Sequence, residues 1–201
     1  MSGIDDDNLP FTIRPDLPPY LVHLTKTTHA NSALDNLVKI LQEGVIQGTN
    51  SYIKGHRKAV CFMDVPFVAL KHVCSKQNSE RYAPYGIVIT KTFAYRKGAR
   101  PVLYLSDRER RRFRIPPKEL WRVVKLQYSN DANAWVSNWL HEREWRCPDK
   151  FILSGKIRAV LVKTEKEAAR LYRKIEAASE SFACIPQSSI PLSVICQGLD
   201  D

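Results

Sequence analysis

Two distant segments, Leu21-Val-His-Leu-Thr25 and His141-Glu-Arg-Glu-Trp-Arg146, decide the fold that this sequence predicts. Each segment reads as a β-strand, and each carries ionisable side chains among apolar ones. A carboxylate inside a sheet loses hydration and needs partners, so we expect the protein to use at least one of Glu142 and Glu144. The alternative interpretation is a solvent-exposed strand face.

The elements around these segments predict a mixture of strands and helices. Leu34, Leu37, Val38 and Leu41 have helical spacing, with Asn31 or Ser32 as the cap and Gly44 as the stop. Further strands are predicted at 59–63, 86–90, 101–105, 122–128, 157–163 and 193–196, and further helices at 66–73, 132–140 and 165–178. Because no regular βαβ alternation occurs, the sequence predicts the α+β class with a mostly antiparallel or mixed sheet.

A length of 201 residues predicts one domain with a continuous core. Residues 1–19 contain an acidic run and four prolines, which predicts an extended N-terminal arm. The single domain is expected to span residues 20–201. The five cysteines form no CxxC pair and lie mostly in apolar runs, so we expect reduced core thiols.

The charge of the chain favours an anionic partner. Lys and Arg number 31 against 21 Asp and Glu, a formal net charge of +10 that suits nucleic acid or a nucleotide. The basic segment Arg108-Glu-Arg-Arg-Arg-Phe-Arg114 offers Arg108, Arg110, Arg111, Arg112 and Arg114 to phosphates and Phe113 for stacking. The alternative is an ordinary solvated surface.

Targeting and membrane signals are not evident in the sequence. No apolar run approaches the roughly 18 residues that a membrane span needs. The N-terminus carries Asp5-Asp-Asp7 instead of a basic stretch followed by an apolar one. We therefore expect a cytoplasmic protein without a membrane partner.

The two opening segments contain the candidate site residues. His23 and Thr25 have the same strand parity, so both could contact one ligand, although a histidine in an apolar strand is more often a core residue. Glu142 and Glu144 also share parity, and their repulsion should raise one pKa unless a cation, a hydroxyl or solvent intervenes. Arg143 and Arg146 are expected to point elsewhere or to flank them.

Several common catalytic motifs are missing from the sequence. It contains no Gly-rich phosphate loop, HExxH helix, nucleophile elbow or paired metal-ligand spacing. We therefore expect no metal site, and many hydrolase and nucleoside-triphosphatase functions are disfavoured.

The order of these residues resembles that of a known enzyme family. His23-x-Thr25, Asn36-Leu37 on the helix that ends at Gly44, Arg57 and the strand-borne Glu144 are similar to ADP-ribosyltransferases, particularly the DarT-like group. The segments Val60-Cys-Phe-Met-Asp-Val-Pro66, Tyr85-Gly-Ile-Val88 and Pro101-Val-Leu-Tyr104 also resemble AbiGi-type abortive-infection proteins of phage defence. Both resemblances cover roughly residues 20–165.

The resemblance implies a split, mixed β-sheet that holds NAD in a cleft. In that arrangement His23 and Thr25 would hold the nicotinamide-side ribose, while Asn36 and Arg57 would contact the dinucleotide, Arg57 through its phosphates. Glu144 would be the catalytic carboxylate. Glu142 would orient the acceptor nucleophile or act as a general base.

The acceptor is predicted from charge and from what the chain lacks. It has no evident Arg strand or Ser-Thr-Ser strand of the arginine-modifying toxins, and its positive charge favours a nucleic acid, either DNA or RNA. The expected role is a bacterial toxin or phage-defence effector, with an antitoxin as a further partner. Open alternatives are an NAD glycohydrolase, a non-enzymatic nucleic-acid-binding module, and a nuclease that uses His141, Glu142 and Glu144.

Overall fold

The computed structural model describes residues 18–75, 78, 81–128, 137–153 and 155–196. Residues 1–17 of the predicted arm and 132–136 of the predicted helix lie outside the described residues. The strands are β1 (Tyr20–Leu24), β2 (Val45–Gln47), β3 (Ala59–Phe62), β4 (Gly86–Thr90), β5 (Arg100–Pro101), β6 (Leu103–Leu105), β7 (Val123–Lys125), β8 (Trp145–Pro148), β9 (Lys150–Ile152), β10 (Lys156–Ile157), β11 (Ala159–Val162), β12 (Ile185–Pro186) and β13 (Ser189–Pro191).

Helices connect and cover these strands. They are α1 (Ala33–Glu43), α2 (Leu70–Val73), α3 (Lys91–Arg96), α4 (Asp107–Arg112), α5 (Glu165–Ala177) and α6 (Leu192–Ile195). Short 3₁₀ helices occur at Phe67–Ala69, Pro117–Arg122, Leu140–Glu142 and Ser179–Ser181.

The main sheet has the order β1-β4-β11-β13. β4 pairs antiparallel with both β1 and β11, whereas β13 pairs parallel with β11. All four residues of β11 are buried, as expected of a strand covered on both faces. The predicted α+β class with a mixed sheet is confirmed.

Side-chain alternation divides the core between the two faces of this sheet. On one face, Leu21, Ile87 and Val160 pack with side chains of α1 and α5. On the other face, the strand residues of opposite parity, Val22, Val88 and Leu161, form a second cluster. They pack with Leu70 of α2 and Leu192 of α6. His23 has the parity of Leu21, so its side chain belongs to the first face.

Helix α1 follows the sequence prediction. The Ser32 side chain accepts a hydrogen bond from the Asp35 N–H at 3.1 Å, and Gly44 ends the helix with φ of 65°. Leu37, Val38 and Leu41 are buried, as their spacing predicts. Gly tolerates the left-handed conformation at Gly44 without the steric penalty of a Cβ atom.

The predicted last strand over 193–196 is wrong. These residues belong to α6 and the turn after it, and β13 closes the sheet instead. Pro191 has no N–H with which to continue a ladder, so the chain turns into a helix there. The apolar run of four residues was too short for periodicity to separate a strand from a helix.

A second sheet, of order β3-β8-β5, meets β1 at one edge. Val22 and Met63 exchange backbone hydrogen bonds of 2.9 and 2.7 Å, and their bridge is isolated in the part of the chain that the structure describes. Beyond this bridge β1 and β3 diverge. The divergence splits the sheet system and makes the site described below.

Gly86 provides a test of how tightly β1 and β4 are packed. A Cβ atom at Gly86 would lie 2.5 Å from the His23 carbonyl oxygen, so Gly86→Ala must displace backbone. We expect the free energy of unfolding, measured by urea denaturation, to fall by about 1–3 kcal/mol. Gly155→Ala is the control, because nothing lies within 4 Å of its Cβ position, and it should change stability by less than about 0.5 kcal/mol. Equal losses of stability in Gly86→Ala and Gly155→Ala would contradict the close contact between Gly86 and the His23 carbonyl.

Candidate active site

A pocket of about 90 Å³ opens where β1 and β3 diverge. Ligand sites for whole cofactors are usually roughly 300 Å³ or larger, so this pocket accommodates one ring-sized end of a larger molecule. Its walls come from β1, β3, the segment before β4 and the segment before β8: Val22, His23, Leu24, Cys61, Phe62, Met63, Tyr82, Glu142 and Glu144. The structure therefore brings His23 together with Glu142 and Glu144, which follow it by more than 100 residues in the sequence.

His23 occupies the gap between the two strands. Its Nδ1 lies 2.8 Å from the Cys61 carbonyl oxygen. Because a carbonyl can only accept, the proton is assigned to Nδ1, and Nε2 remains an acceptor. Burial lowers the pKa of His23 and outweighs the opposing effect of this hydrogen bond, so the imidazole is neutral at neutral pH.

Glu142 and Glu144 reach the pocket from a turn, and the strand predicted over 141–146 is wrong before residue 145. Leu140–Glu142 form a 3₁₀ turn, Arg143 has φ of 42°, and β8 begins only at Trp145. The two carboxylates therefore do not share a strand face. They converge because the chain reverses direction between them.

Glu144 is held by a buried ion pair. Arg146 donates from Nε and Nη2 to the two carboxylate oxygens at 2.7 and 3.0 Å. Its Nη1 donates to the Trp121 carbonyl at 2.8 Å. Both side chains are less than a tenth exposed, so the guanidinium offsets the desolvation of the carboxylate. Of the two positions expected for Arg146, pointing elsewhere or flanking the glutamates, the structure shows the second. Arg146 lies in β8 and reaches back to Glu144, which immediately precedes the strand.

Glu142 is held by a hydroxyl instead of a cation. The Tyr82 hydroxyl donates a hydrogen bond to Glu142 Oε1. Burial raises the pKa of Glu142 above its ordinary value, the Tyr82 bond opposes this, and the charge of Glu144 adds to it. Each carboxylate thus has its own partner, Arg146 for Glu144 and Tyr82 for Glu142, which offsets the repulsion between two buried acidic groups.

Backbone hydrogen bonds hold the turn from two sides. The Tyr104 hydroxyl accepts from the Glu144 N–H at 3.0 Å and donates to the Trp139 carbonyl at 3.2 Å. On the other side, the Asp64 N–H donates to the Glu142 carbonyl, and Arg143 Nε donates to the Asp64 carbonyl at 2.7 Å. Burial raises the pKa of Tyr104 to about 12, which keeps its hydroxyl protonated and able to do both.

The other predicted dinucleotide ligands lie outside this pocket's lining. Thr25 is buried, and its hydroxyl donates to the Ala33 carbonyl at 2.8 Å. Asn36 donates to the Lys26 carbonyl at 2.8 Å, so both side chains hold the loop between β1 and α1. Arg57 pairs with Asp149 at 2.7 Å on the surface. Contacts of these three residues with a ligand stay a prediction.

The basic segment forms α4 and its C-terminal turn. Ser106 and Glu109 cap the helix reciprocally. Arg110 Nε lies 3.6 Å from Asp107 Oδ1, and the Phe113 side chain is 58% exposed. The other arginines of the segment, Arg108, Arg111, Arg112 and Arg114, are exposed to solvent. Such a surface can contact phosphates, and nucleic-acid binding there stays a prediction.

Sequence reasoning missed Tyr82, Arg146 and Tyr104 as parts of the site. Arg146 could have been found, because it follows Glu144 by two residues at the start of a strand. Tyr82 and Tyr104 lie 60 and 40 residues from the glutamates that they contact. No local pattern signals such contacts.

The described residues offer neither a metal site nor a membrane-spanning helix. Among these residues, no group of three or more His, Cys, Asp or Glu side chains is arranged to hold a metal ion. None of the described helices is long and apolar enough to cross a bilayer.

Comparison with known proteins gives matches among solved structures. DarT from Thermus sp. 2.9 in complex with carba-NAD⁺ superposes with a TM-score of 0.51 and 15% identity, over 88% of this chain and 97% of DarT. The complex of the same protein with NAD⁺ gives a TM-score of 0.51 and 14% identity, over 88% and 96% of the two chains. No protein-family profile and no curated protein sequence matches.

The fold is DarT-like. The predicted split mixed sheet is confirmed by this likeness, which extends over nearly the whole of both chains. At this identity the DarT-like fold is what the comparison establishes for the chain. The resemblance to AbiGi-type proteins stays a prediction.

The buried ion pair of the site can be tested by stability. Arg146→Met leaves Glu144 buried without its cation, so we expect the free energy of unfolding in urea to fall by roughly 3–5 kcal/mol. Arg57→Met removes an exposed Arg–Asp pair and should cost less than about 1 kcal/mol. Adding Glu144→Gln to Arg146→Met should recover part of the loss, and a double variant as unstable as the sum of the singles would contradict the pairing.

Proposed function

We propose that this protein is an NAD-dependent ADP-ribosyltransferase that modifies a nucleic acid. The observation that supports the proposal is the position of the pocket. The sheet of a DarT-like fold splits beside β1, and at that split lie a neutral histidine and two carboxylates. The solved DarT structures of this fold hold NAD⁺ or carba-NAD⁺.

The pocket suits the nicotinamide end of NAD. Its volume suits one ring, and its apolar wall from Val22, Phe62 and Met63 can cover a flat ring. His23 Nε2 is available to accept a hydrogen bond from a ribose hydroxyl. The remainder of the dinucleotide extends out of the pocket, where Thr25, Asn36 and Arg57 are the proposed contacts.

Glu144 is the proposed catalytic carboxylate. When the bond between nicotinamide and ribose breaks, the electron pair leaves with nicotinamide and positive charge develops on the ribose. A fixed carboxylate in a water-poor pocket stabilises that charge. The Arg146 clamp serves this role by fixing the direction of the carboxylate in advance.

Glu142 is the proposed general base. The acceptor atom bonds to the ribose carbon as nicotinamide departs, and the proton that it loses must go to a nearby base. A carboxyl group whose pKa is raised by burial is a stronger base than an ordinary one. If water takes the place of the acceptor, the same residues produce NAD hydrolysis, so glycohydrolase activity accompanies the proposal as its alternative.

The acceptor is proposed from charge. A net charge of +10 and the exposed arginines of the basic segment favour a polyanion. The segment begins at Arg108, four residues after Tyr104, whose hydroxyl contacts the proposed catalytic turn, and the proposed path of a bound strand runs from this segment towards the site. A cytoplasmic toxin or phage-defence role, with an antitoxin as partner, completes the proposal. The second candidate is a nucleic-acid-binding module without catalysis, favoured by the same exposed arginines.

Glu144→Gln tests the catalytic assignment. The amide keeps an acceptor for Arg146 but removes the negative charge, so nicotinamide release from NAD should fall by about a hundredfold or more. Labelled NAD incubated separately with DNA, RNA and protein shows which pool acquires label. Glu176→Gln, an exposed carboxylate on α5, should retain wild-type turnover. Full turnover in Glu144→Gln would remove the assignment, and no NAD cleavage by the wild type would favour the binding module.

The pH dependence of transfer tests Glu142. A general base must be ionised, so its raised pKa places the acidic limb of the rate profile above the ordinary glutamate pKa of about 4.3. Tyr82→Phe removes a donor that stabilises the ionised form and should move this limb to higher pH. Tyr172→Phe, at an exposed position on α5, should leave it in place. The opposite shift in Tyr82→Phe would contradict the role of Glu142 as base.

A further inference from the structure

Aromatic and basic side chains lie in layers beside the pocket mouth. The Arg81 guanidinium carbon is 4.1 Å from the centre of the Trp139 ring and 5.7 Å from the centre of the Tyr82 ring. The Trp139 and His141 rings are 5.9 Å apart and tilted by 43°. Tyr82 and Glu142 line the pocket. Arg81 lies over the Tyr82 ring, and the charges of Arg81 and His141 both lower the pKa of Glu142, which places these two side chains close to the pocket lining.

These side chains are accessible. Arg81 and His141 are exposed, and Trp139 is half-buried. A tryptophan in the core would be covered by apolar neighbours, whereas the Trp139 ring contacts the Arg81 guanidinium and the His141 imidazole. Part of a large aromatic surface therefore faces solvent next to the carboxylates.

Backbone hydrogen bonds hold Trp139 firmly in place. Its carbonyl accepts from the Tyr104 hydroxyl at 3.2 Å and from the Glu142 N–H at 3.1 Å. The preceding Asn138 donates to the Tyr128 hydroxyl at 2.6 Å and accepts from the Leu140 N–H at 3.1 Å. Its backbone is thus fixed, and Arg81 packs against its ring, so a ligand that stacks there orders few additional groups.

We propose that Arg81, Trp139 and His141 form a platform on which the acceptor nucleobase stacks. The proposal deepens the proposed function, on which it rests, by assigning the acceptor subsite of the same pocket. A nucleobase on Trp139 lies beside Glu142, the proposed base, and Arg81 is placed for the adjoining phosphate. The basic segment then holds the rest of the strand, and the platform selects an unpaired base.

Oligonucleotide binding tests the platform without depending on NAD chemistry. Dye-labelled single-stranded DNA and RNA of mixed sequence, in separate arms at fixed salt, are titrated with wild type, Trp139→Ala and Trp139→Phe. Stacking on an aromatic ring is worth about tenfold or more in affinity, so Trp139→Ala should raise Kd by that factor in at least one arm. Trp139→Phe should retain most of the affinity.

An abasic strand and a distant aromatic residue are the matched controls. With the abasic strand, wild type and Trp139→Ala should bind equally, because only the base contacts the platform. Tyr172→Ala removes an equally exposed ring on α5 and should bind both strands as the wild type does. If the protein transfers label, the ratio of transfer to NAD hydrolysis should also fall about tenfold in Trp139→Ala.

Equal affinity of wild type and Trp139→Ala for both base-containing strands would overturn the proposal. So would a rise in the KM for NAD as large as the rise in Kd, because the platform would then belong to NAD. If Trp139→Ala fails to fold by thermal melting, the exposed Arg81→Ala and His141→Ala variants are judged by the same criteria. Absence of NAD cleavage with a normal loss of binding would reject the proposed function and keep the platform.

Discussion

Backbone pairing between β1 and β3 stops after Val22 and Met63. Next to that point the Cys61 carbonyl accepts its hydrogen bond from the His23 imidazole instead of from a backbone N–H. A carbonyl at that depth needs a partner. The imidazole supplies one but is larger than an N–H group, so the strands separate where it enters. The pocket is the space that this separation leaves, and the histidine that opens it also faces whatever the pocket binds.

The same opening brings two carboxylates close together, and each has its own means of tolerating burial. Glu144 is held in one orientation by two hydrogen bonds from the Arg146 guanidinium, whose positive charge offsets its burial. Glu142 has only the Tyr82 hydroxyl, so burial raises its pKa and makes it the group that exchanges a proton more readily. A carboxylate fixed by a cation beside a carboxyl group with a raised pKa suits the proposed transfer reaction, because one step stabilises a developing cation and the other removes a proton.

The turn that carries the carboxylates also connects the chemistry to the surface. The Tyr104 hydroxyl accepts a hydrogen bond from the Glu144 N–H in this turn, and the chain continues from Tyr104 into the basic segment of α4. Trp139 enters the same turn with its ring against Arg81. Residues 139–144 therefore connect the proposed catalytic groups with the proposed platform through Arg81 and with the proposed phosphate contacts through Tyr104. The geometry of this turn depends on Arg143 adopting a positive φ.

Local sequence determined the regular elements and the identity of the reactive groups. Helix α1 follows from its Ser32 cap, its apolar spacing and Gly44, and β1 follows from its apolar residues, because these signals depend on neighbours along the chain. Tertiary structure alone decided that 140–144 is a turn and that Tyr82 rather than a cation contacts Glu142. Those outcomes depend on groups dozens of residues away, whose positions no local periodicity encodes.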